Sequence, residues 1–222
     1  MKLSTPPGVF RPRSDTWLLA DAITGAPPRH ARVLDVCTGS GALAVAAALA
    51  GAREVTAVDI SRRAVLATRL NARRNRVRVR VLRGDLFAPV GERRFDLIVS
   101  NPPYLPSRHA GVPRRGAERA WEGGRDGRAL LDRICAQAPR HLEPGGSLLL
   151  VQSSVCDPQE TVRRLESGGL EVEPVARRRG PLGPLLAARA DLLASRGLLD
   201  PAGDEELVVI RAGRPAGGTV AA

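Results

Sequence analysis

A stiff, polar corner directly follows one of the most apolar runs in the chain. The sequence reads FDLIV over residues 95–99 and continues as SNPPYLP over residues 100–106. Proline fixes φ and lacks an N–H, so this corner holds its backbone carbonyls in place. The Asn101 side chain and the Pro102 carbonyl could accept hydrogen bonds from a planar amide or amine, while Tyr104 stacks on it. The corner therefore predicts a site for a planar nitrogen, although alone it is equally compatible with an ordinary turn.

A glycine-rich turn earlier in the chain carries a second set of candidate residues. The stretch GSGALA begins at Gly39 and includes Gly41, and Asp59 follows Gly39 by 20 residues. Glycines of this G-x-G-x-x-A pattern allow a cofactor to approach the backbone, and the later acid can bind ribose hydroxyls. The pattern indicates an adenosine-containing cofactor, with a purely structural turn as the alternative.

Asp35 distinguishes between two such cofactors. It lies at the end of the preceding apolar run, where its charge would repel a pyrophosphate but suit an ammonium or a sulfonium. S-adenosyl-L-methionine carries both cations, so we expect this cofactor in place of NAD. Asp85, in the stretch RGDLF, is predicted to accept from the adenine amino group, with Leu86 as an apolar neighbour.

The elements that must position these residues alternate along the chain. Short β-branched runs predict strands at 31–36, 54–60, 77–82, 95–100, 146–152, 170–176 and 205–211. Helical patterns lie between them, at about 41–52, 61–75, 126–141 and 157–169. This alternation predicts an α/β fold, Rossmann-like and doubly wound, with a mostly parallel sheet covered on both faces. Ligands of such sheets bind at the carboxyl ends of the strands, where the candidate residues would converge.

One domain over residues 1–212 is expected. Within it, residues 105–124 are too long and too rich in Gly, Pro and Arg for a simple connection, which predicts a substrate-binding or lid loop. Residues 181–200 are predicted to form an inserted helix, and residues 213–222 a flexible tail.

Composition limits the function classes further. The net charge is +11, and Lys2 is the only lysine among 34 basic residues. The codon bias of a GC-rich genome is the favoured explanation of so much arginine, and a phosphate-rich partner is the alternative. The spread of the arginines along the chain argues against the second explanation. The cysteines (Cys37, Cys135 and Cys156) form no CxxC pair, so we expect neither a disulfide nor a metal site. With no apolar leader segment, a soluble cytoplasmic protein is expected.

Six stretches of the chain carry a family pattern: GVFRPRSDTWLLADAI, LDVCTGSGALAVA, VDIS, GDLF, FDLIVSNPPY and GAERAWEGGRDGRALLDRI. Together these stretches resemble the HemK-type class I methyltransferases, which methylate the glutamine in the GGQ loop of peptide chain release factors. The first and last of these are similar to the shorter subgroup that includes the eukaryotic and archaeal enzymes. The resemblance implies a seven-stranded sheet whose last strand is antiparallel, and a release factor as the protein substrate.

The resemblance also implies roles for matching positions. The implied and inferred cofactor-binding residues are Thr16, Asp35, Cys37, Gly39, Gly41, Asp59, Ile60, Asp85, Leu86 and Asn101. The expected catalytic residues are Asn101, Pro102 and Tyr104. Asp15 would line the methionine end of the cofactor, and the pocket mouth would be shaped by Trp121, Gly123, Gly124 and Asp126.

The chain departs from the family pattern in three respects. Cys37 replaces the usual first glycine of the loop, the 181–200 segment is an addition, and we expect no separate substrate-docking domain before residue 1. The resemblance leaves open whether an activator subunit takes part.

Four alternatives remain at this point. The NPPY corner also suits adenine-N6 methylation of DNA or RNA, which the positive charge favours and the lack of a visible target-recognition domain opposes. A small-molecule N-methyltransferase is the third enzymatic choice. Asp35 argues against a NAD-type oxidoreductase, and the intact Asn101 and Tyr104 argue against an inactive binding module.

Overall fold

A single seven-stranded sheet forms the centre of the molecule. The computed structural model describes residues 1–25, 29–113, 116–199 and 202–217. The strands are β1 (Arg32–Val36), β2 (Glu54–Asp59), β3 (Arg80–Arg83), β4 (Phe95–Ser100), β5 (Leu142–Ser153), β6 (Glu171–Pro181) and β7 (Asp204–Gly213).

Helices occupy most of the connections between strands. They are α1 (Ser14–Gly25), α2 (Ala42–Leu49), α3 (Arg62–Arg74), α4 (Ala129–His141), α5 (Pro158–Ser167), α6 (Pro184–Ala187) and α7 (Ala190–Ala194). Ser61 caps α3, because its hydroxyl accepts from the Ala64 N–H. Asp157 likewise caps α5 by accepting from the Glu160 N–H.

The strand order is β3-β2-β1-β4-β5-β7-β6. Strands β1 to β5 pair in parallel, whereas β7 runs antiparallel between β5 and β6. The predicted fold class is confirmed, including the antiparallel last strand.

Each face of the sheet packs against its own apolar cluster. Val33 and Leu34 are adjacent in β1 and both fully buried, yet they belong to different clusters, because alternate side chains point to opposite faces. Leu19 of α1 lies in the cluster with Val33, and Leu131 of α4 in the cluster with Leu34. Burial on both faces explains the nearly continuous apolar runs of the central strands.

The structure differs from the sequence prediction at several boundaries. Strand β3 begins at Arg80 instead of residue 77, and β6 continues to Pro181. The predicted single inserted helix is wrong, because 181–200 instead contains the two short helices α6 and α7, which begin after Gly183 and Arg189.

Ordered structure also continues past the predicted domain end at residue 212. Strand β7 includes Gly213, and Arg214 is buried with its guanidinium donating to the Leu142 carbonyl. Residues 218–222 of the predicted tail lie outside the described residues. Among the described helices, none is both long and apolar enough to cross a membrane.

Candidate active site

A cavity of about 460 Å³ opens at the carboxyl ends of the parallel strands. This volume is within the range of small-molecule binding sites. Most of the predicted site residues line the cavity: Thr16, Cys37, Gly39, Asp59, Ile60, Asp85, Leu86, Asn101, Pro102 and Tyr104. The structure therefore brings together residues that are up to 88 positions apart in the sequence, from Thr16 to Tyr104.

The glycine-rich turn forms one wall and is held from behind by α3. The Thr68 hydroxyl donates to the Gly39 carbonyl at 3.1 Å, and Asn71 Nδ2 donates to the Ser40 carbonyl at 2.8 Å. Gly41 has a φ of 80°, and a Cβ there would lie 2.7 Å from the Thr68 side chain. Only glycine satisfies both constraints, so Gly41 acts through close packing against α3 and lies behind the cavity wall.

Asp35 is fully buried under this turn and does not itself line the cavity. Its Oδ2 accepts from the Thr38 hydroxyl at 2.5 Å and from the Ala44 N–H at 3.0 Å. Its Oδ1 has no hydrogen-bond partner among the described residues. Burial raises the pKa of Asp35 to about 7, and the nearby negative charge of Asp59 adds to the effect. A cation at the cavity floor would offset this cost.

Asp59 ends β2, and its two carboxylate oxygens hold the glycine-rich turn and the start of α3. Oδ2 accepts from the Gly39 N–H at 2.9 Å, and Oδ1 accepts from the Ser61 N–H at 2.8 Å. Burial raises the pKa of Asp59, while these backbone hydrogen bonds oppose the rise. A carboxylate oxygen has a further lone pair, so Asp59 can still accept from a ligand hydroxyl.

Asp85 lies at the rim of the cavity. Its carboxylate pairs with Arg133 at 2.6 Å, and both side chains are about half exposed, at 48% and 46%. The predicted contact with an adenine amino group would therefore have to share this carboxylate with Arg133.

The NPPY corner is tied to the start of α1 by two side-chain hydrogen bonds. Asn101 Nδ2 donates to Thr16 Oγ1 at 3.1 Å, and the Tyr104 hydroxyl donates to Asp15 Oδ2 at 2.9 Å. Asp15 Oδ1 in turn accepts from the Thr16 N–H at 2.6 Å. The amide nitrogen of Asn101 is thus engaged by the protein, and its carbonyl is the end that can accept from a substrate N–H.

Tyr104 is almost completely buried, with 6% of its surface exposed. Burial raises the pKa of its hydroxyl well above the ordinary value, and the neighbouring Asp15 and Glu205 carboxylates add to the shift. Tyr104 therefore stays protonated and serves as a hydrogen-bond donor. The Cys156 thiol donates to the backbone carbonyl of Tyr104 at 2.8 Å, and this hydrogen bond holds the corner from the other side.

Cys37 occupies a backbone conformation that usually requires glycine. Its φ is 61°, in the left-handed region, and its side chain lines the cavity. Burial raises the pKa of the thiol well above its ordinary value, with Asp59 as the next contributor. The thiol is therefore neutral and acts as a small apolar group at the cavity wall.

The predicted mouth residues lie after the NPPY corner, where the chain folds back on it. The Leu105 N–H donates to the Trp121 carbonyl at 2.8 Å, and the Gly123 N–H donates to the Leu105 carbonyl at 2.9 Å. Trp121 lines the cavity, and its indole N–H is buried without a hydrogen-bond partner among the described residues. The Gly124 carbonyl accepts from the Ser107 N–H, and the Asp126 carboxylate accepts from the Arg128 N–H. Unlike Trp121, the predicted mouth residues Gly123, Gly124 and Asp126 lie outside the cavity lining.

The cavity wall also contains a carboxylate that no sequence motif indicated. Glu205 lines the cavity, accepts from the Gly183 N–H at 3.2 Å, and has a pKa raised by burial. The signal was the antiparallel orientation of β7, which places the first residues of that strand at the carboxyl edge of the parallel strands. Residues 183–186 of the added segment also line the cavity, so this segment contributes to the site.

This arrangement defines a class I methyltransferase site: a glycine-rich turn, acids at the ends of β1 and β2, and an NPPY corner after β4. The model of the methyltransferase small domain family matches residues 1–114. A Methanocaldococcus jannaschii protein assigned as a protein N5-glutamine methyltransferase is 34% identical over 190 residues, which cover 86% of this chain and 95% of that protein. The chain belongs to the methyltransferase small domain family, and its resemblance to the HemK-type enzymes is confirmed.

Two further comparisons agree with this assignment. The release factor glutamine methyltransferase of Geobacter sulfurreducens is 40% identical over 151 residues, covering 65% of this chain and 53% of that enzyme. The chain thus spans about half the length of this relative. The E. cuniculi Mtq2-Trm112 complex, described as responsible for methylation of the eRF1 termination factor, contains a similar fold. The TM-score is 0.65 at 22% identity, covering 93% of this chain and 99% of that one.

The protein is therefore an S-adenosyl-L-methionine-dependent methyltransferase. The residues present fit this cofactor, because Asp59 in the cavity wall can accept from ribose hydroxyls. The buried Asp35, whose Oδ1 has no partner among the described residues, would be stabilised in its ionised form by a cation above the turn. No group of three or more His, Cys, Asp or Glu side chains that could hold a metal is found in the described part of the chain.

Proposed function

We propose that this enzyme methylates the side-chain amide nitrogen of a protein glutamine, in the GGQ loop of a peptide chain release factor. The observation that carries the proposal is the tethered NPPY corner, in which Thr16 and Asp15 hold Asn101 and Tyr104 at the cavity wall. Relatives named as glutamine methyltransferases support the choice of nucleophile.

The cofactor site comprises the glycine-rich turn with Asp35, Cys37 and Gly39 on one side and Asp59, Ile60, Asp85 and Leu86 on the other. When bound, S-adenosyl-L-methionine supplies an electrophilic methyl group. Asp59 is the acceptor for ribose hydroxyls, and Asp35 offsets positive charge from beneath the turn. Gly41 keeps the turn close to α3.

The corner positions the amide without a charged base. An amide nitrogen is a weak nucleophile, so the enzyme must hold it in one orientation and exclude water. The Asn101 and Pro102 carbonyls accept its two N–H groups, and the Tyr104 ring covers its face. Because the Tyr104 hydroxyl is held by Asp15, the ring cannot rotate out of place.

The experiment that tests this function is methyl transfer from labelled S-adenosyl-L-methionine to purified release factor. Its controls are the same factor with Gln→Ala in the GGQ loop, and adenine-containing DNA and RNA. Label on the factor that disappears in the Gln→Ala control establishes glutamine methylation. Label on the nucleic acid alone would instead establish the second candidate, adenine-N6 methylation, which the same corner geometry allows because adenine also presents a planar amine.

The assay also determines whether a partner subunit is needed. The E. cuniculi relative is described as a complex with Trm112. We propose that the present chain be tested alone first. Full turnover by the isolated chain would show that a second subunit is dispensable.

A further inference from the structure

Although arginines occur along the whole chain, the net positive charge is concentrated in one segment. Residues 60–84 contain nine arginines and no acidic residue, so this segment accounts for nine of the eleven net positive charges. The arginines of this segment, hereafter the arginine face, are Arg62, Arg63, Arg69, Arg73, Arg74, Arg76, Arg78, Arg80 and Arg83. The bias toward arginine elsewhere does not explain this, because the other 197 residues carry a net charge of only +2.

The fold places these side chains on one outer edge of the molecule. Six lie on or just after α3, and the others lie on or before β3, which is the edge strand of the sheet. Arg62, Arg69 and Arg73 fall on one stripe of α3, since spacings of seven and eleven residues return to the same side of a helix. All nine are exposed to solvent.

None of the nine forms an ion pair within the described part of the chain. By contrast, ten arginines elsewhere pair with a carboxylate: Arg32, Arg93, Arg128, Arg133, Arg163, Arg164, Arg177, Arg179, Arg189 and Arg211. Arg69 and Arg83 donate to backbone carbonyls, which leaves their charge uncompensated. The arginine face is therefore a surface of unneutralised guanidinium groups.

We propose that the arginine face binds the phosphate backbone of RNA. Guanidinium groups suit phosphate because their planar fork makes paired hydrogen bonds to its oxygens. A 13-residue helix is about 20 Å long, and one strand of a duplex presents a negative charge per ~3.4 Å, so α3 spans roughly six phosphates of one strand. Five of the nine arginines lie on α3, a number comparable to the phosphates that such a strand presents along it.

The position of the arginine face relates this binding to the active site. Ser61 and Ala64 at the start of α3, and Gly84 after β3, line the active-site cavity. RNA bound to the face therefore lies beside the cavity mouth without filling it. The choice of RNA over DNA rests on the proposed function, because a release factor works on the ribosome. In this arrangement RNA is a docking partner and not the methyl acceptor.

The test compares two triple variants with the same change of charge. Arg73→Glu/Arg78→Glu/Arg80→Glu alters the arginine face, whereas Arg94→Glu/Arg140→Glu/Arg178→Glu alters exposed arginines elsewhere. Binding to a fluorescent 20-base-pair RNA hairpin is measured by anisotropy between 50 and 200 mM salt, with duplex DNA and polyglutamate as competitors. Circular dichroism checks that each variant is folded. A second variant, Arg73→Gln/Arg78→Gln/Arg80→Gln, removes the three charges without reversing them.

We expect the face variant to weaken RNA binding by at least 30-fold at 100 mM salt, and the control variant by less than threefold. The slope of log K against log salt should fall by about 3 in the face variant, since each lost phosphate contact removes ~0.9. Equal weakening in both variants, or tighter binding of duplex DNA than of RNA, would overturn the proposal. So would stronger competition by polyglutamate than by RNA. Because binding is read without methyl transfer, an enzyme that ignores release factors would still give a clear answer.

Discussion

The hydroxyl of Tyr104 donates a 2.9 Å hydrogen bond to Oδ2 of Asp15, joining the NPPY corner to the first turn of α1. The two residues are 89 positions apart, and both are more than 90% buried. The aromatic side chain of the corner is therefore a structural anchor as well as a wall of the substrate site. This relationship separates the ring of Tyr104 from its hydroxyl as targets for experiment.

Tyr104→Phe should keep the ring and lose the anchor. Without the hydroxyl, Oδ2 of the buried Asp15 lacks this donor, which costs about 1–3 kcal/mol of unfolding free energy. We expect kcat to fall about tenfold, because the corner is held less firmly, and the cofactor Kd to change little. A double-mutant cycle with Asp15→Ala, monitored by urea unfolding, should give a coupling energy above ~0.5 kcal/mol. Strict additivity would contradict a direct interaction.

Asn101→Ala should abolish methyl transfer while leaving the cofactor site largely intact. Its carbonyl is the proposed acceptor for a substrate N–H, whereas its Nδ2 contacts only protein through Thr16. We expect the Kd for S-adenosyl-L-methionine to rise by less than about tenfold, or ~1.4 kcal/mol. Asn75→Ala is a matched control, since Asn75 bonds to Lys2 away from the cavity. Loss of all cofactor binding in Asn101→Ala would refute the assigned role.

Asp59→Ala should weaken cofactor binding strongly. The variant removes the proposed ribose acceptor and also the support of the turn through Gly39. Because hydrogen bonds to a charged acceptor contribute about 1.5–3 kcal/mol, we expect the Kd measured by calorimetry to rise at least ~30-fold. Asp21→Ala, at an exposed position of α1, is the control. An unchanged Kd in Asp59→Ala would show that Asp59 does not bind the ribose.

The site could be predicted largely from single positions after strands. In a parallel sheet the carboxyl ends of all strands meet at one edge, so Asp59, Asp85 and Asn101 had to converge. The same rule does not determine how deep each side chain lies relative to the cavity wall. Asp35 and Gly41 lie behind the cavity wall and Asp85 lies at its rim, because these positions depend on how the turn packs against α3.

The added segment was harder to predict. The sequence predicts one helix over 181–200, yet two short helices begin there after Gly183 and Arg189, and Pro184 can only be accommodated in a first turn. The position of Glu205 in the site could not be predicted either, because it depends on the direction of its strand. It lies at the start of a strand, and only the antiparallel pairing of β7 with β5 brings that start to the active-site edge.

Cys37→Gly should tighten cofactor binding. Glycine adopts a φ of 61° without the steric cost that any Cβ incurs there, and it removes a thiol from the cavity wall. We expect the Kd to fall several-fold and the melting temperature to stay constant or rise slightly. Cys37→Ala separates the two causes, since alanine removes the sulfur but keeps the backbone strain. A higher Kd in Cys37→Gly would show that the thiol makes a favourable contact with the cofactor.

Asp35 should make stability depend on pH in a direction opposite to that of most carboxylates. Its pKa in the folded state is about 7, above the ordinary value of 3.8. Between about pH 4 and pH 7 the folded protein retains a proton that the unfolded chain has lost, so the unfolding free energy falls as the pH rises. Above pH 7 both states are ionised and the contribution is constant. Asp35→Asn should remove this slope, a difference on the order of 2 kcal/mol between pH 5 and pH 8.

Cofactor binding should lower the pKa of Asp35, which burial raises in the free protein. A cation above the turn favours the ionised carboxylate, so binding at pH 6.5 should release a proton from Asp35. Calorimetry in buffers of different ionisation enthalpy measures this release directly, and the affinity should increase as the pH rises toward 7. Asp35→Asn retains an acceptor for Thr38 and Ala44 but cannot ionise, so it should release no proton. Equal proton release by both proteins would place the titrating group elsewhere and remove Asp35 from cofactor recognition.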